Sequence, residues 1–237
     1  MRVSAIEAIE RLVVDQPKFH DEVGYAVSWH IQRDALEFLA DRLTPDSRTL
    51  ETGTGYSTVV FAAAGGTHTA VSPFSAEHEG ISAYCREAGI AVDRVTFLAE
   101  RSQLALARLW EAGPLDLVLI DGDHAFPAPF MDWYYVADRV VEGGVVLVDD
   151  TQLRTGAVLR DFLRAEEGRW RQCAELGKTV VFERTTSEPV TGLWWGQQPW
   201  GTDWTEPVPP VEQAKAILRK VPGLRPAVRA VKGALRR

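Results

Sequence analysis

Residues 50–57 read LETGTGYS and form a glycine-rich turn between a short apolar strand and the helix that follows it. Gly53 and Gly55 allow the backbone to bend tightly and to approach a ligand closely. The free N–H groups of the first helical turn favour an anionic group, for example a carboxylate. In an open α/β sheet, ligands bind at the carboxyl ends of strands, where the strand order reverses. The stretch therefore predicts a ligand-binding turn of such a sheet, and a glycine-rich turn without a ligand is the alternative.

Apolar runs and segments of helical periodicity alternate around this turn. The predicted strands are 48–51, 67–72, 94–98, 115–120, 144–148, 169–176 and 178–184. The predicted helices are 2–14, 29–43, 56–64, 75–88, 102–112, 127–141 and 155–167. Such alternation indicates a mostly parallel sheet covered on both faces. We therefore expect an α/β fold, a Rossmann-like, doubly wound, mostly parallel seven-stranded sheet with a terminal antiparallel strand from the closing hairpin.

The composition of the 237 residues is that of an ordinary globular protein, with 46% hydrophobic and 25% charged residues. No apolar run is long enough for a membrane span, and the first residues lack the apolar core of a secretory signal. Cys85 and Cys173 form neither a disulfide framework nor a metal-like cluster, so both are expected to be inert small apolar residues. These features predict a cytoplasmic protein.

The chain divides into four predicted parts. Residues 1–28 form an N-terminal helix or lid segment, 29–186 the main domain, 187–210 an irregular segment rich in Trp and Pro, and 211–237 two basic helices. Residues 212–237 carry a charge of +7, whereas the whole chain carries −7. The acidic body argues against nucleic-acid binding. For the basic tail, contact with an anionic membrane and docking on the acidic body or on a second copy both stay open.

Two further apolar strands end in acids. Residues 116–124 read DLVLIDGDH, and residues 143–150 read GGVVLVDD. Adjacent parallel strands would bring the carboxylates of Asp121, Asp149 and Asp150 to one edge of the sheet. Such carboxylates repel one another unless they are protonated or bridged by a cation, and hard oxygen ligands suit Mg²⁺.

Together these three segments resemble class I S-adenosylmethionine-dependent methyltransferases, in particular the metal-dependent O-methyltransferase branch of the macrocin O-methyltransferase type. The resemblance covers about residues 30–184. It implies that Asp121, Asp149 and Asp150 hold a divalent metal, expected to be Mg²⁺, and that His124 is the general base. The side chains and turns that it implies for S-adenosylmethionine are Glu51, Thr52, Gly53, Gly55, Tyr56, Ser57, Ser72, Ser102, Asp121 and Gly122.

The chain departs from the family pattern at the end of the second strand. These methyltransferases usually carry an acid there that binds both ribose hydroxyls, whereas this chain has Ser72 followed by Pro73. Ser72 offers one hydroxyl, and Glu77 lies one helical turn further on. The departure leaves cofactor affinity as an open question and motivates one alternative, a non-catalytic binding protein with this fold.

The favoured function is transfer of a methyl group from S-adenosylmethionine to a hydroxyl of a small molecule or sugar. A nicotinamide-dependent oxidoreductase is a further alternative, but the third glycine of the dinucleotide motif is replaced by Thr58. The expected partner is the acceptor molecule, and a homodimer is a further hypothesis.

Overall fold

The computed structural model describes residues 3–20 and 30–202 of the chain. Its seven strands form one sheet in the order β3-β2-β1-β4-β5-β7-β6. The strands are β1 (Arg48–Thr52), β2 (Thr67–Val71), β3 (Val95–Leu98), β4 (Leu115–Ile120), β5 (Val140–Val148), β6 (Trp170–Leu176) and β7 (Thr179–Arg184).

Strand direction confirms the predicted fold. The pairs β1–β2, β2–β3, β1–β4 and β4–β5 are parallel. Strand β7 is antiparallel to both of its neighbours, β5 and β6. Strand β7 is therefore inserted between β5 and the edge strand β6, and it is the antiparallel strand that the closing hairpin predicts.

The helices cover both faces of the sheet. They are α1 (Ala5–Asp15), α2 (Arg33–Arg42), α3 (Tyr56–Ala64), α4 (Ser75–Glu87), α5 (Ser102–Arg108), α6 (Ala128–Val136), α7 (Arg154–Ala165) and the single turn α8 (Pro199–Thr202). Buried residues of α1 to α4 pack with Leu117 and Leu119 of β4 in one core cluster. Buried residues of α5 to α7 pack with Val118 and Ile120 in the other. Alternate residues of a strand point to opposite faces, so β4 supplies both clusters.

Several element boundaries differ from the sequence prediction, most of all the end of α6, which is Val136 rather than residue 141. Helix α2 begins at Arg33 rather than residue 29, and α5 ends at Arg108 rather than residue 112. Strand β5 begins at Val140 and passes through Gly143, where φ is +79°. The register against β4 shifts between Leu115 and Leu117. The two glycines suggested that β5 starts there, whereas the strand continues through this irregularity.

Residues up to Trp194 form one compact unit, and a second unit begins at Trp195. The predicted irregular segment contains a 3₁₀ turn at Trp195–Gln197 followed by α8. The predicted basic helices of 211–237 and part of the predicted lid segment lie outside the described residues. Among the described helices, none combines the length and the apolar character that crossing a membrane requires.

The reversal of strand order positions the candidate site. Strands run outward in one direction from β1 to β3 and in the other from β4 to β6, so β1 and β4 flank the switch point. Thr52 of β1 is in register with Ile120 of β4. The glycine turn after β1 and the acidic segment after β4 therefore leave the sheet side by side, where ligands bind in this class of fold.

Candidate functional site

A cavity of about 540 Å³ opens at the switch point. Its size is within the range of sites that enclose small molecules. Most of the predicted site residues line it, namely Gly53, Gly55, Tyr56, Ser57, Ser72, Ser102, Asp121, Gly122 and His124. Glu51, Thr52, Asp149 and Asp150 are not among the lining residues. Further lining residues that the prediction omitted include His20, His30, Thr54 and Glu77.

Gly53 is required by the backbone around it. Its φ is +83°, a conformation that favours glycine, and its N–H donates to the carbonyl of Val71 at 2.9 Å. A Cβ at this position would lie 2.2 Å from the carbonyl oxygen of Asp121. Gly53 lines the cavity, and it also leaves room for the chain segment after β4.

Glu51, which the resemblance places beside the cofactor, is buried and is not among the residues that line the cavity. The side chain is fully buried and accepts hydrogen bonds from Ser57 Oγ at 2.6 Å, from Thr58 Oγ1 and from His68 Nε2 at 3.1 Å. Thr58 Oγ1 also accepts from the N–H of Gly55 at 3.0 Å. The acid of the motif thus holds the turn together, and Thr58 has a structural role that a glycine could not fill.

Glu77 lies where the acid after β2 is missing. Its carboxylate accepts hydrogen bonds from Ser72 Oγ at 2.8 Å and Thr54 Oγ1 at 3.0 Å, and it contacts His20 Nδ1 at 2.9 Å. Burial acts to raise the pKa of Glu77, but the hydrogen bonds from His20 and Ser72 outweigh it and lower the pKa. A carboxylate from α4 therefore stands at the cavity wall beside Ser72.

Asp132 of α6 is a buried acid close to Ser102, one of the residues that line the cavity. It is 1% exposed, and burial raises its pKa to about 6, although Ser102 and Thr52 act to lower it. Neither carboxylate oxygen of Asp132 nor Thr52 Oγ1 has a hydrogen-bond partner among the described residues, so this buried acid is poorly compensated. Thr52 itself is buried, which accounts for its absence from the cavity wall.

Tyr56 forms the part of the wall nearest the N-terminal segment. Its ring stacks on His30 with a centroid distance of 3.9 Å, and its hydroxyl donates to the carbonyl of Pro17 at 3.2 Å. Burial raises the pKa of Tyr56, so the phenol stays neutral in the physiological range. The ring is available to a ligand as a flat surface, while the hydroxyl is tied to the chain.

The acids after β4 and β5 converge beside the cavity. Asp121, His124 and Asp150 each offer a ligand atom, and these atoms lie within 4.8 Å of one another. His124 Nε2 lies 3.1 Å from Asp150 Oδ2. Asp149, the remaining predicted ligand, is 3% exposed, and its Oδ1 accepts a hydrogen bond from Thr179. The group that converges is therefore two carboxylates and an imidazole, where the prediction had three carboxylates.

Lys178 is the residue of this cluster that the sequence analysis missed. Its Nζ lies 2.7 Å from Asp150 Oδ1 and 3.1 Å from Asp149 Oδ2. Strands β5 and β7 pair with Val148 opposite Val180. Continuing this antiparallel register by two residues places Asp150 opposite Lys178, so the pairing of the hairpin was the signal that could have found it.

The charges of the cluster are strongly coupled. Burial of Asp121, together with the carboxylate of Asp149, raises the pKa of Asp121 well above its usual range. Burial acts to raise the pKa of Asp150 as well, but the hydrogen bonds from Lys178 and Gln152 lower it. Burial acts to lower the pKa of Lys178, and the neighbouring Asp150 and Asp149 raise it. At neutral pH, Asp150 is thus a carboxylate and Lys178 an ammonium.

The comparison with protein families identifies the central segment. Residues 50–151 match a family model described as a methyltransferase domain. The match begins at the glycine turn and ends just after Asp150, so it contains both halves of the cavity wall and the acidic cluster. A comparison with curated protein sequences finds no match.

Solved structures share the fold at low sequence identity. The O-methyltransferase TomG from Streptomyces achromogenes, involved in tomaymycin synthesis and solved in complex with S-adenosylmethionine, is 20% identical with a TM-score of 0.55, over 77% of this chain and 89% of its own. An rRNA methylase from Streptococcus thermophilus is 15% identical with a TM-score of 0.52, over 66% and 99%. Residues 50–151 thus match a methyltransferase domain model, and the chain shares its fold with methyltransferases of known structure.

Proposed function

We propose that the protein transfers the methyl group of S-adenosylmethionine to a hydroxyl of a small molecule or sugar. The observation that carries the proposal is the cavity at the switch point, which joins the glycine turn to His124 and the adjoining acids. The methyltransferase domain match of residues 50–151 supports the same chemistry.

The cavity offers suitable partners for each part of the methyl donor. The N-terminal end of α3, at Tyr56 and Ser57, favours the methionine carboxylate. Glu77 and Ser72 offer a carboxylate and a hydroxyl for the ribose, and the wall at Ser102 lies on the side where the family holds adenine. When bound, S-adenosylmethionine supplies a methyl carbon made electrophilic by the attached sulfonium.

His124 is proposed to remove the proton of the acceptor hydroxyl. Its Nε2 contacts Asp150, which leaves Nδ1 as the nitrogen that accepts a proton. Asp150 orients the ring and stabilises the imidazolium that forms. The acceptor oxygen then bonds to the methyl carbon as the carbon–sulfur bond breaks, and positioning of the two reactants contributes to the rate.

A divalent cation, Mg²⁺ or Mn²⁺, is proposed as part of the site. The fit rests on the ligand atoms of Asp121, His124 and Asp150, which lie within 4.8 Å of one another. Asp121 and Asp150 would hold the ion, and Asp149 would hold it if its carboxylate turned. Such an ion lowers the pKa of an acceptor hydroxyl.

The decisive experiment measures binding and turnover separately. We expect S-adenosylhomocysteine to bind the wild-type protein in a calorimeter, and formation of S-adenosylhomocysteine from S-adenosylmethionine to depend on an added phenol or sugar acceptor. His124→Asn should reduce turnover about 10²- to 10⁴-fold, because it removes the general base, and should leave nucleoside binding unchanged. Equal turnover by His124→Asn and the wild type would remove His124 from the mechanism. Nucleoside binding without turnover on any hydroxyl would favour the non-catalytic alternative.

A further inference from the structure

The backbone of Lys178 is held firmly at the end of the sheet. Its carbonyl accepts hydrogen bonds from the N–H of Thr151 at 2.9 Å and from the hydroxyl of Thr151 at 2.8 Å. Its N–H donates to Gln32 Oε1 at 2.8 Å. The preceding Gly177 has a φ of +56°, and a Cβ there would overlap the Gln32 amide. Lys178 is therefore presented to the acidic cluster by a tight turn that is anchored on two sides.

The side chain of Lys178 lies against carboxylates that would otherwise face a metal ion. Nζ is 2.7 Å from Asp150 Oδ1 and 3.1 Å from Asp149 Oδ2, and the Asp149 side chain is fully buried. Without a positive charge, these two carboxylates and Asp121 would repel one another in a poorly solvated place. The ammonium of Lys178 therefore balances the negative charge of these carboxylates, as a divalent cation would.

An ammonium and a divalent cation compete for the negative charge of the same carboxylates. Like charges at contact distance repel, and the interaction is strongest where water is largely excluded. The Lys178 side chain is 20% exposed and has a flexible stem of four carbons, so the ammonium can move toward solvent while the backbone stays fixed. A divalent cation bound by Asp149 and Asp150 therefore favours movement of the ammonium away from them.

We propose that Lys178 is a tethered counter-ion that occupies the carboxylates of Asp149 and Asp150 when no divalent cation is bound, and that it weakens the affinity of the site for such a cation. The inference rests on the metal part of the proposed function. The ammonium of Lys178 then competes with a divalent cation for these carboxylates.

Binding of Mn²⁺ to three variants of the full-length chain tests the proposal. Lys178→Gln should bind Mn²⁺ about tenfold or more tightly than the wild type, because the competing charge is gone. Lys178→Arg keeps the charge and should bind as weakly as the wild type. Arg171→Gln removes an equal charge from an exposed ion pair with Glu183 on the same hairpin and should also resemble the wild type. The measurement is calorimetry, with the signal of free Mn²⁺ in electron paramagnetic resonance as a second readout.

A labelling experiment on the wild-type protein covers the case in which Lys178→Gln does not fold. Saturating Mn²⁺ should increase the acetylation of Lys178 by acetic anhydride severalfold, measured by mass spectrometry relative to the exposed Lys18. Equal Mn²⁺ affinity in Lys178→Gln and the wild type, or labelling of Lys178 that Mn²⁺ does not change, would overturn the inference and leave the metal site standing. If neither the wild type nor Lys178→Gln binds Mn²⁺, the metal part of the proposed function falls with it, whereas nucleoside binding is unaffected.

Discussion

At the scale of single residues, acids with unlike surroundings have different tasks around the cavity. The side chain of Glu51 accepts hydrogen bonds within the fold, whereas Glu77 lies at the cavity wall as a charged carboxylate. Asp132 is buried with a raised pKa, and Asp150 pairs with Lys178. Sequence position alone would group these residues as acids near strand ends. Their environments separate them into structural groups and groups that can meet a ligand.

Glu77 is expected to replace the acid that is absent after β2. Glu77→Gln should weaken binding of S-adenosylhomocysteine about tenfold or more, since hydrogen bonds to a charged partner contribute about 1.5–3 kcal/mol. Glu79→Gln, an exposed change on the same helix, should leave the affinity as it is. Titration calorimetry on both variants is the measurement. Unchanged affinity in Glu77→Gln would assign the ribose hydroxyls to another group.

Asp132 is expected to make stability depend on pH. Burial raises its pKa to about 6, so the folded protein keeps this proton between about pH 4 and pH 6, where the unfolded chain has lost it. The free energy of unfolding therefore falls as pH rises through this window and is not lowered further above it. Asp132→Asn does not titrate, so its stability relative to the wild type should rise by about 2 kcal/mol between pH 4.5 and pH 7.5.

Chemical denaturation at the two pH values measures this difference. Asp93→Asn, at an exposed position, should give a profile parallel to that of the wild type. A parallel profile for Asp132→Asn as well would show that Asp132 is ionised in the folded protein at both pH values.

At the scale of elements, the turn between β1 and α3 is stabilised by the fold before any ligand binds. Thr58 and Ser57 donate to Glu51, and Glu51 also contacts His68, which stacks on Phe61 at 4.1 Å. The turn is a pre-formed part of the sheet edge. Binding of a ligand at this turn therefore carries no free-energy cost for ordering it.

Gly53→Ala is expected to destabilise the protein in the absence of any ligand. A methyl group at this position would meet the Asp121 carbonyl at 2.2 Å, and the positive φ adds strain. We expect a loss of more than about 2 kcal/mol in the free energy of unfolding. Gly55→Ala is the matched control, since its Cβ would lie 3.4 Å from the imidazole of His20, which can shift. Similar denaturation curves for both variants would contradict the assigned role of Gly53.

At the scale of the whole molecule, one cavity at the switch point is shared by the segments that follow β1, β2 and β4. A ligand that binds there contacts both halves of the sheet, so its binding free energy adds to the stability of the folded chain. The sheet is covered by two core clusters, one on each face, and neither cluster depends on the ligand. The protein should therefore fold alone and become more stable when it is loaded.

S-adenosylhomocysteine at about 100 times its dissociation constant should stabilise the protein by about 2.7 kcal/mol. For a domain of this size, that corresponds to a rise of about 5–10 °C in melting temperature. Reduced nicotinamide dinucleotide at the same concentration should not change the melting temperature, since Thr58 takes the place of the third glycine of the dinucleotide motif. A shift with the dinucleotide in place of the nucleoside would favour the oxidoreductase alternative. Differential scanning fluorimetry is sufficient for this comparison.

Local patterns in the sequence determined most of the fold. Apolar runs and helical periodicity indicated seven strands and the helices between them, because burial of a strand or of one helix face leaves a short-range signature. Glycines at 53 and 55 marked the turn, and Asp121 after β4 marked the neighbouring wall. Element ends were less accurate, as the early start of β5 shows, because a tertiary pairing extended the strand past two glycines.

Only the tertiary structure decided how the polar groups are divided between the fold and the site. Glu51 binds His68 of β2, and Lys178 of the β6–β7 hairpin contacts Asp150 after β5. Each pair joins residues that lie far apart along the chain or on different elements, and no local pattern encodes such a contact. The sequence by itself indicated the glycine turn and the strand end that line the cavity. The packing of the sheet decided which acids line the cavity, and it placed Lys178 beside Asp149 and Asp150.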